Sequence, residues 1–143
     1  NGLKTEAGTG EPMYELMVKD TFAAAHSLRG YKGKCEHTHG HNYGVEAFFE
    51  CESLGKDGLA VDFTVLKSAL KKTLNKLDHK HLNFDVDFFK RKNTSAENIA
   101  RYIFEEMKRN VKKARVIKVR IYESENSMAA YCEGGMYGKK RLK

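Results

Sequence analysis

The chain has 143 residues, 41% of them hydrophobic and 31% charged, with a formal net charge of +7; this is the size of one ordinary domain and enough for a packed core. No apolar run approaches the ~20 residues of a membrane span, and the first residues lack the apolar centre of a secretion signal, so a cytoplasmic protein is expected. The positive charge admits a nucleic-acid surface, a site for a polyanion such as a triphosphate, or a solvated lysine-rich exterior, and does not choose among them.

Residues 1–12 are polar, glycine-rich and without apolar period. They are expected to be disordered or foreign to the natural chain, with Met13 a candidate start. From there Tyr14, Leu16 and Val18 alternate with Glu15, Met17 and Lys19, which predicts a half-buried strand running into Phe22 to His26. Ser27 to Lys34, with Gly30 and Gly33, reads as a loop, and a second strand runs from about His39 to Cys51. Asp57-Gly58 marks a turn. A helix follows, capped by Asp62 or Thr64, with Val65, Leu66, Ala69, Leu70, Leu74 and Leu77 as its apolar stripe and Lys67, Lys71, Lys72 and Lys76 outside.

Residues 83–92 read as a loop, unusually aromatic in Phe84, Phe88 and Phe89, which suggests packing against something such as another subunit. Thr94-Ser95-Ala96-Glu97 has the pattern of a capping box and opens a second helix that buries Ile99, Ala100, Ile103, Phe104, Met107 and Val111. A third strand spans Arg115 to Glu123, with Ile117, Val119, Ile121 and Glu123 on one face, and a fourth spans Met128 to Cys132. Residues 134–143 form a basic tail without an assigned role. The order ββααββ predicts one α+β domain over residues 13–133, a four-stranded antiparallel sheet with two helices on one face. That arrangement leaves the other face and both edges bare, so a homo-oligomer that extends the sheet is expected.

Chemistry concentrates in Cys35-Glu36-His37-Thr38-His39-Gly40-His41-Asn42-Tyr43. Side chains two apart in a strand share a face, so His39 and His41 aim at one point. With His26 at the end of the first strand they make three imidazoles, the number of protein ligands a catalytic zinc usually has. His37 has the same parity and could be mistaken for a ligand. Cys35 has no CxxC partner and reads as a reagent, while Cys51 and Cys132 read as packing and all three as free thiols.

Five places together resemble the family of 6-pyruvoyl-tetrahydropterin and 6-carboxy-5,6,7,8-tetrahydropterin synthases. They are Ala24-Ala25-His26, Cys35 with His39-Gly40-His41-Asn42-Tyr43, Asp62-Phe63, Leu77-Asp78-His79 with Leu82-Asn83, and Tyr122-Glu123. The short spacing from Cys35 to His39 is more similar to the bacterial 6-carboxy enzymes of queuosine biosynthesis, since the animal 6-pyruvoyl enzymes carry a longer insert. The resemblance implies a T-fold (tunnelling fold), assembled as a trimer or a hexamer of two trimers, with active sites between subunits. It implies a zinc-dependent lyase that converts 7,8-dihydroneopterin triphosphate to 6-carboxy-5,6,7,8-tetrahydropterin, with release of acetaldehyde and triphosphate.

The same resemblance assigns Zn²⁺ to His26, His39 and His41, the general base to Cys35, and a partner dyad to Asp78 and His79, with His81 the competing histidine. It gives Glu123 the pterin edge, with Glu125 as the alternative, and Ser95 a substrate contact. One departure stands out. The family's second helix usually opens with proline and threonine, and here the run is Asn93-Thr94-Ser95. Two sister activities remain as alternatives, 6-pyruvoyl-tetrahydropterin synthesis and formation of 6-hydroxymethyl-dihydropterin. From a different class, a basic nucleic-acid-binding module with a structural zinc is disfavoured, because such sites are usually closed by four ligands, often with cysteine pairs. No nucleic-acid or membrane partner is expected.

Overall fold

The computed structural model describes residues 13–133; the two termini considered above, residues 1–12 and 134–143, lie outside the described residues. The framework is an antiparallel ladder between β1 (Tyr14–His26) and β2 (His39–Cys51), joined through a short 3-10 turn at Lys34–Glu36. The ladder runs unbroken from Tyr14 opposite Cys51 to His26 opposite His39. Its alternation fixes the faces: Val18, Phe22 and Ala24 point inward with Tyr43, Val45, Ala47 and Phe49, all buried. Phe22 and Tyr43 stack with ring centroids 4.8 Å apart.

Two helices cover that inner face. Helix α1 (Phe63–Leu74) is capped by Asp62, whose carboxylate accepts from the Thr64 N–H at 2.8 Å. Its buried stripe is Leu66, Leu70, Thr73 and Leu74. Val65 is exposed and Ala69 only half-buried, because each lies ~100° around the helix from the residue that centres the stripe. Lys67, Lys71 and Lys72 of α1, and Lys76 in the turn after it, are exposed as the periodicity predicts.

After α1 the chain departs from the expected scheme. Lys80–His81 forms a short strand, β3, parallel to β1 with Ala24 opposite Lys80 and Ala25 opposite His81. The sheet therefore has five strands in the order β3-β1-β2-β4-β5 and is mixed, with β4 (Arg115–Ser124) and β5 (Ser127–Tyr131) completing the antiparallel part. A two-residue strand has no periodicity to read. The aromatic loop folds into two single turns, α2 (Leu82–Asp85) and α3 (Phe88–Arg91). Phe89 is a fully buried core residue of the same protomer, and Phe84, 69% exposed, is the side chain still available to a partner.

Helix α4 (Ala96–Asn110) buries Ile99, Ala100, Ile103, Phe104 and Met107 as expected. Its cap sits one residue later than the sequence pattern suggests. Ser95 Oγ accepts from the Asn98 N–H at 3.3 Å, whereas Thr94 turns inward and is wholly buried. In β4 the register against β2 shifts between Phe48 and Phe49, so that Phe48 faces Lys118 and Phe49 faces Val116. Ile117 is the extra residue of this bulge, and Val116 takes the core place expected for Ile117. Val119 and Ile121 keep the inner face by alternation, and the pairing with β5 shifts at Glu123, between Tyr122 and Ser124. Cys51 is half-buried, but Cys132 is exposed at the end of β5 and does not pack as expected.

One ion cluster ties the helices together. Lys76 Nζ lies 2.6 Å from Glu106 Oε2, and Arg109 pairs with the other oxygen of that buried carboxylate. Burial acts to raise the Glu106 carboxyl, but the bonds and charges of Lys76 and Arg109 outweigh it and hold it below the ordinary value. A depressed folded-state value stabilises the fold above the unfolded value of about 4.3 and is lost as pH falls through the folded one. Urea melts at neutral and acid pH should therefore show a smaller acid loss of stability for Glu106→Gln than for wild type.

Candidate metal and catalytic site

The inner face of the β1–β2 ladder ends in histidines. His26 and His39 are directly opposite each other, and His41 sits opposite Ala24 one step inward. The strand period of two therefore places all three on the side that carries the core. Their nearest ring nitrogens lie within 4.8 Å of one another, and they are the group of three or more potential ligands found among the described residues. His26 is buried; His39 and His41 are partly open. The site is thus the uncovered end of the hydrophobic core, with Tyr43 as its floor at 5.3 Å from His41 and 6.0 Å from His26, ring centre to ring centre.

Hydrogen bonds settle which nitrogens face the centre. His26 Nδ1 lies 2.7 Å from the Thr94 carbonyl and His39 Nδ1 lies 2.7 Å from the His37 carbonyl. A carbonyl can only accept, so each Nδ1 carries the proton and each Nε2 presents a lone pair. Those two Nε2 atoms are only 3.0 Å apart. Two lone pairs at that distance repel unless a proton or a metal ion lies between them, and with His41 beside them the residues present fit a metal. Burial pulls the His26 pKa down, helped by the neighbouring imidazoles and only partly opposed by the Thr94 bond and the Glu123 charge. The ring is thereby kept neutral, as a metal ligand must be.

The second group is built at the edge of the sheet. Asp78 Oδ1 accepts from the Ala23 N–H at 2.9 Å, and the Ala23 carbonyl accepts from the His79 N–H at 2.6 Å. These bonds hold His79 in the left-handed region at φ 57°, the one non-glycine residue with positive φ among those described. Such a conformation persists only where the surroundings impose it, and it is found often at functional sites. Asp78 Oδ2 pairs with His79 Nδ1 at 2.8 Å. The Ala23 bond, followed by the His79 bond, lowers the Asp78 pKa, so the carboxylate stays ionised and keeps orienting the ring. The His79 side chain is 82% exposed. It shares a shallow groove of about 500 Å³ with His41, Asn42, Lys80 and His81.

The remaining expected residues fall in different places. Cys35 is half-buried in the 3-10 turn, anchored by its carbonyl to the Leu28 N–H at 2.8 Å, and it lies outside the histidine group. The charge of Glu123 acts on both His26 and Tyr43, whose phenol burial and that charge push upward. Ser95 spends its acceptor on capping α4. His81 Nε2 lies 3.3 Å from Thr38 Oγ1, bridging β3 to the segment between Cys35 and His39. Two participants were not foreseen, the carbonyls of His37 and Thr94. Backbone acceptors carry no residue signature.

A helix-backed sheet with three inward histidines at its end and a carboxylate–imidazole pair at its edge defines a T-fold protein equipped to hold a metal. The family model for 6-pyruvoyl tetrahydropterin synthase matches residues 15–134. A 6-pyruvoyl tetrahydrobiopterin synthase of Drosophila melanogaster is 32% identical over 135 residues, covering 85% of this chain and 80% of its own. A putative 6-carboxy-5,6,7,8-tetrahydropterin synthase of Archaeoglobus fulgidus is 36% identical over 115 residues, covering 78% and 90%. The solved 6-pyruvoyl tetrahydropterin synthase of Caenorhabditis elegans superposes with a TM-score of 0.79 at 31% identity, covering 85% of this chain and 96% of that one. The chain belongs to the 6-pyruvoyl tetrahydropterin synthase family. No helix among the described residues is long and apolar enough to cross a membrane.

Proposed function

We propose that the protein is a zinc-dependent pterin lyase that takes 7,8-dihydroneopterin triphosphate to 6-carboxy-5,6,7,8-tetrahydropterin, as in queuosine precursor synthesis. The observation that carries the metal-dependent part is the pair of inward lone pairs on His26 and His39, with His41 beside them. The preference for the carboxy product rests on the three residues between Cys35 and His39. A metal held by the three histidines would, when bound, polarise the hydroxyls of the substrate's side chain and acidify the neighbouring C–H bonds.

The protein's own groups supply the rest. Cys35 as thiolate takes a proton from a side-chain carbon. Asp78 fixes the imidazole of His79, which returns a proton. Glu123 accepts two hydrogen bonds from the 2-amino and N3–H edge of the pterin, a fork-like match, and Ser95 can still donate its hydroxyl proton. Because His79 is exposed and Cys35 is outside the histidine group within one protomer, the working site is completed between subunits of a trimer or hexamer. One water is consumed to provide the carboxyl oxygen as the two terminal carbons leave as acetaldehyde.

A second reading is the 6-pyruvoyl product, favoured by the names of the insect and nematode relatives, each 32% identical to this chain. Anaerobic incubation with 7,8-dihydroneopterin triphosphate, with products identified by mass, separates them. Carboxy-tetrahydropterin with acetaldehyde supports the first reading. A pyruvoyl or hydroxymethyl product moves the protein to a sister activity, and the absence of turnover in zinc-loaded protein overturns the catalytic assignment.

A further inference from the structure

The three histidines are not held equally. Neither ring nitrogen of His41 has a hydrogen-bond partner among the described residues, and His39 is tied only to the carbonyl of His37 in its own loop. His26, by contrast, sits in a closed polar network. The Asn83 side chain grips the backbone of Ser27, the next residue: its Oδ1 accepts from the Ser27 N–H at 3.0 Å and its Nδ2 donates to the Ser27 carbonyl at 2.8 Å. An amide side chain here replaces the peptide group of a neighbouring strand and prolongs the ladder beyond β1. Asn93 does the same two residues on, bonding Arg29 N and O at 3.0 Å each.

Thr94 joins these clamps to the ring. Its hydroxyl donates toward the Ser27 carbonyl at 3.1 Å, with Asn83 Oδ1 at 3.3 Å, and its N–H donates to Asn93 Oδ1 at 3.1 Å. Its carbonyl then receives the His26 Nδ1 proton at 2.7 Å. Thr94 is wholly buried and Asn83 nearly so. The N–H and the hydroxyl of Thr94 together orient that carbonyl.

We propose that Thr94 and Asn83 are positioning residues for the metal site, making His26 its rigid anchor while His39 and His41 adjust around it. The inference rests on the metal reading above. Outer partners of a ligating histidine fix its tautomer and ring direction, and their loss typically weakens metal binding ~10–100-fold. Thr94→Val keeps the shape and deletes the hydroxyl; Thr94→Ser keeps the hydroxyl.

The test is Zn²⁺ affinity, by competition with a chromophoric chelator, for wild type, Thr94→Val, Thr94→Ser and Asn83→Ala, beside the thermal midpoint of each metal-free protein. Expected is a loss of ~10–100-fold for Thr94→Val and Asn83→Ala, with Thr94→Ser within a few-fold of wild type and affinity losses that do not track the metal-free midpoints. Asn83→Ala carries the comparison if Thr94→Val does not melt cooperatively. Wild-type affinity in a folded Thr94→Val or Asn83→Ala overturns the proposal, as do losses that simply follow the midpoints with Thr94→Ser weakened alike. A wild type that binds no zinc refutes the metal reading itself, a result distinct from those two.

Discussion

Alanine in place of His41 is expected to leave the protein folded but without bound zinc, and so without turnover. The residue suits this test because its ring nitrogens bond to no described group, so its removal breaks no hydrogen bond of the fold. Its ring is partly open, unlike that of His26, which limits the cavity left behind. Two imidazoles would remain, one short of the set a catalytic zinc commonly has. The loss of affinity should exceed the ~10–100-fold that follows removal of an outer partner alone. Metal content after dialysis, with far-ultraviolet circular dichroism as the check on folding, measures it. Stoichiometric zinc in the purified variant would show that the three histidines are not the ligand set.

Cys35→Ala should separate chemistry from metal binding. The thiol lies outside the histidine group, so zinc content should match wild type, while turnover of 7,8-dihydroneopterin triphosphate should fall by ~10²–10⁴, the range for loss of a positioned general base. The turn that carries residue 35 is held through its backbone carbonyl to Leu28, a bond that alanine retains. Unchanged turnover in the zinc-loaded variant would remove Cys35 from the mechanism and turn attention to His79 and His81, which share the groove with His41.

The two long strands were legible because apolar residues recur at every second position over most of their length, and the helices because their stripes recur at helical spacing. The grouping of the three histidines was legible for the same reason, since His39 and His41 inherit the parity of Tyr43 and Val45. What escaped was whatever depends on pairing rather than pattern. Lys80–His81 becomes a strand only because Ala24 and Ala25 offer an edge. Ile117, still buried, drops out of the main core cluster because β4 has one residue too many opposite Phe48 and Phe49. Thr94 and Ser95 are equally good caps in sequence, and the choice fell to Ser95 because Thr94 was drawn inward by Ser27 and Asn83. The left-handed backbone of His79 is imposed by Ala23, fifty-odd residues away in the chain.

All three histidines belong to one ladder, in which His26 faces His39 and His41 faces Ala24. A slip of β2 by a single residue would send His39 and His41 to the opposite side of the sheet from His26, just as it would send Tyr43 and Phe49 out of the core. Strand register and the capacity to hold an ion are therefore one and the same property of this chain. A misaligned copy could collapse and still pair its backbone, yet it could not assemble the three imidazoles. Under the proposed metal role, an ion bound there would act as an inspector of alignment, favouring among compact forms the one whose strands have been set correctly.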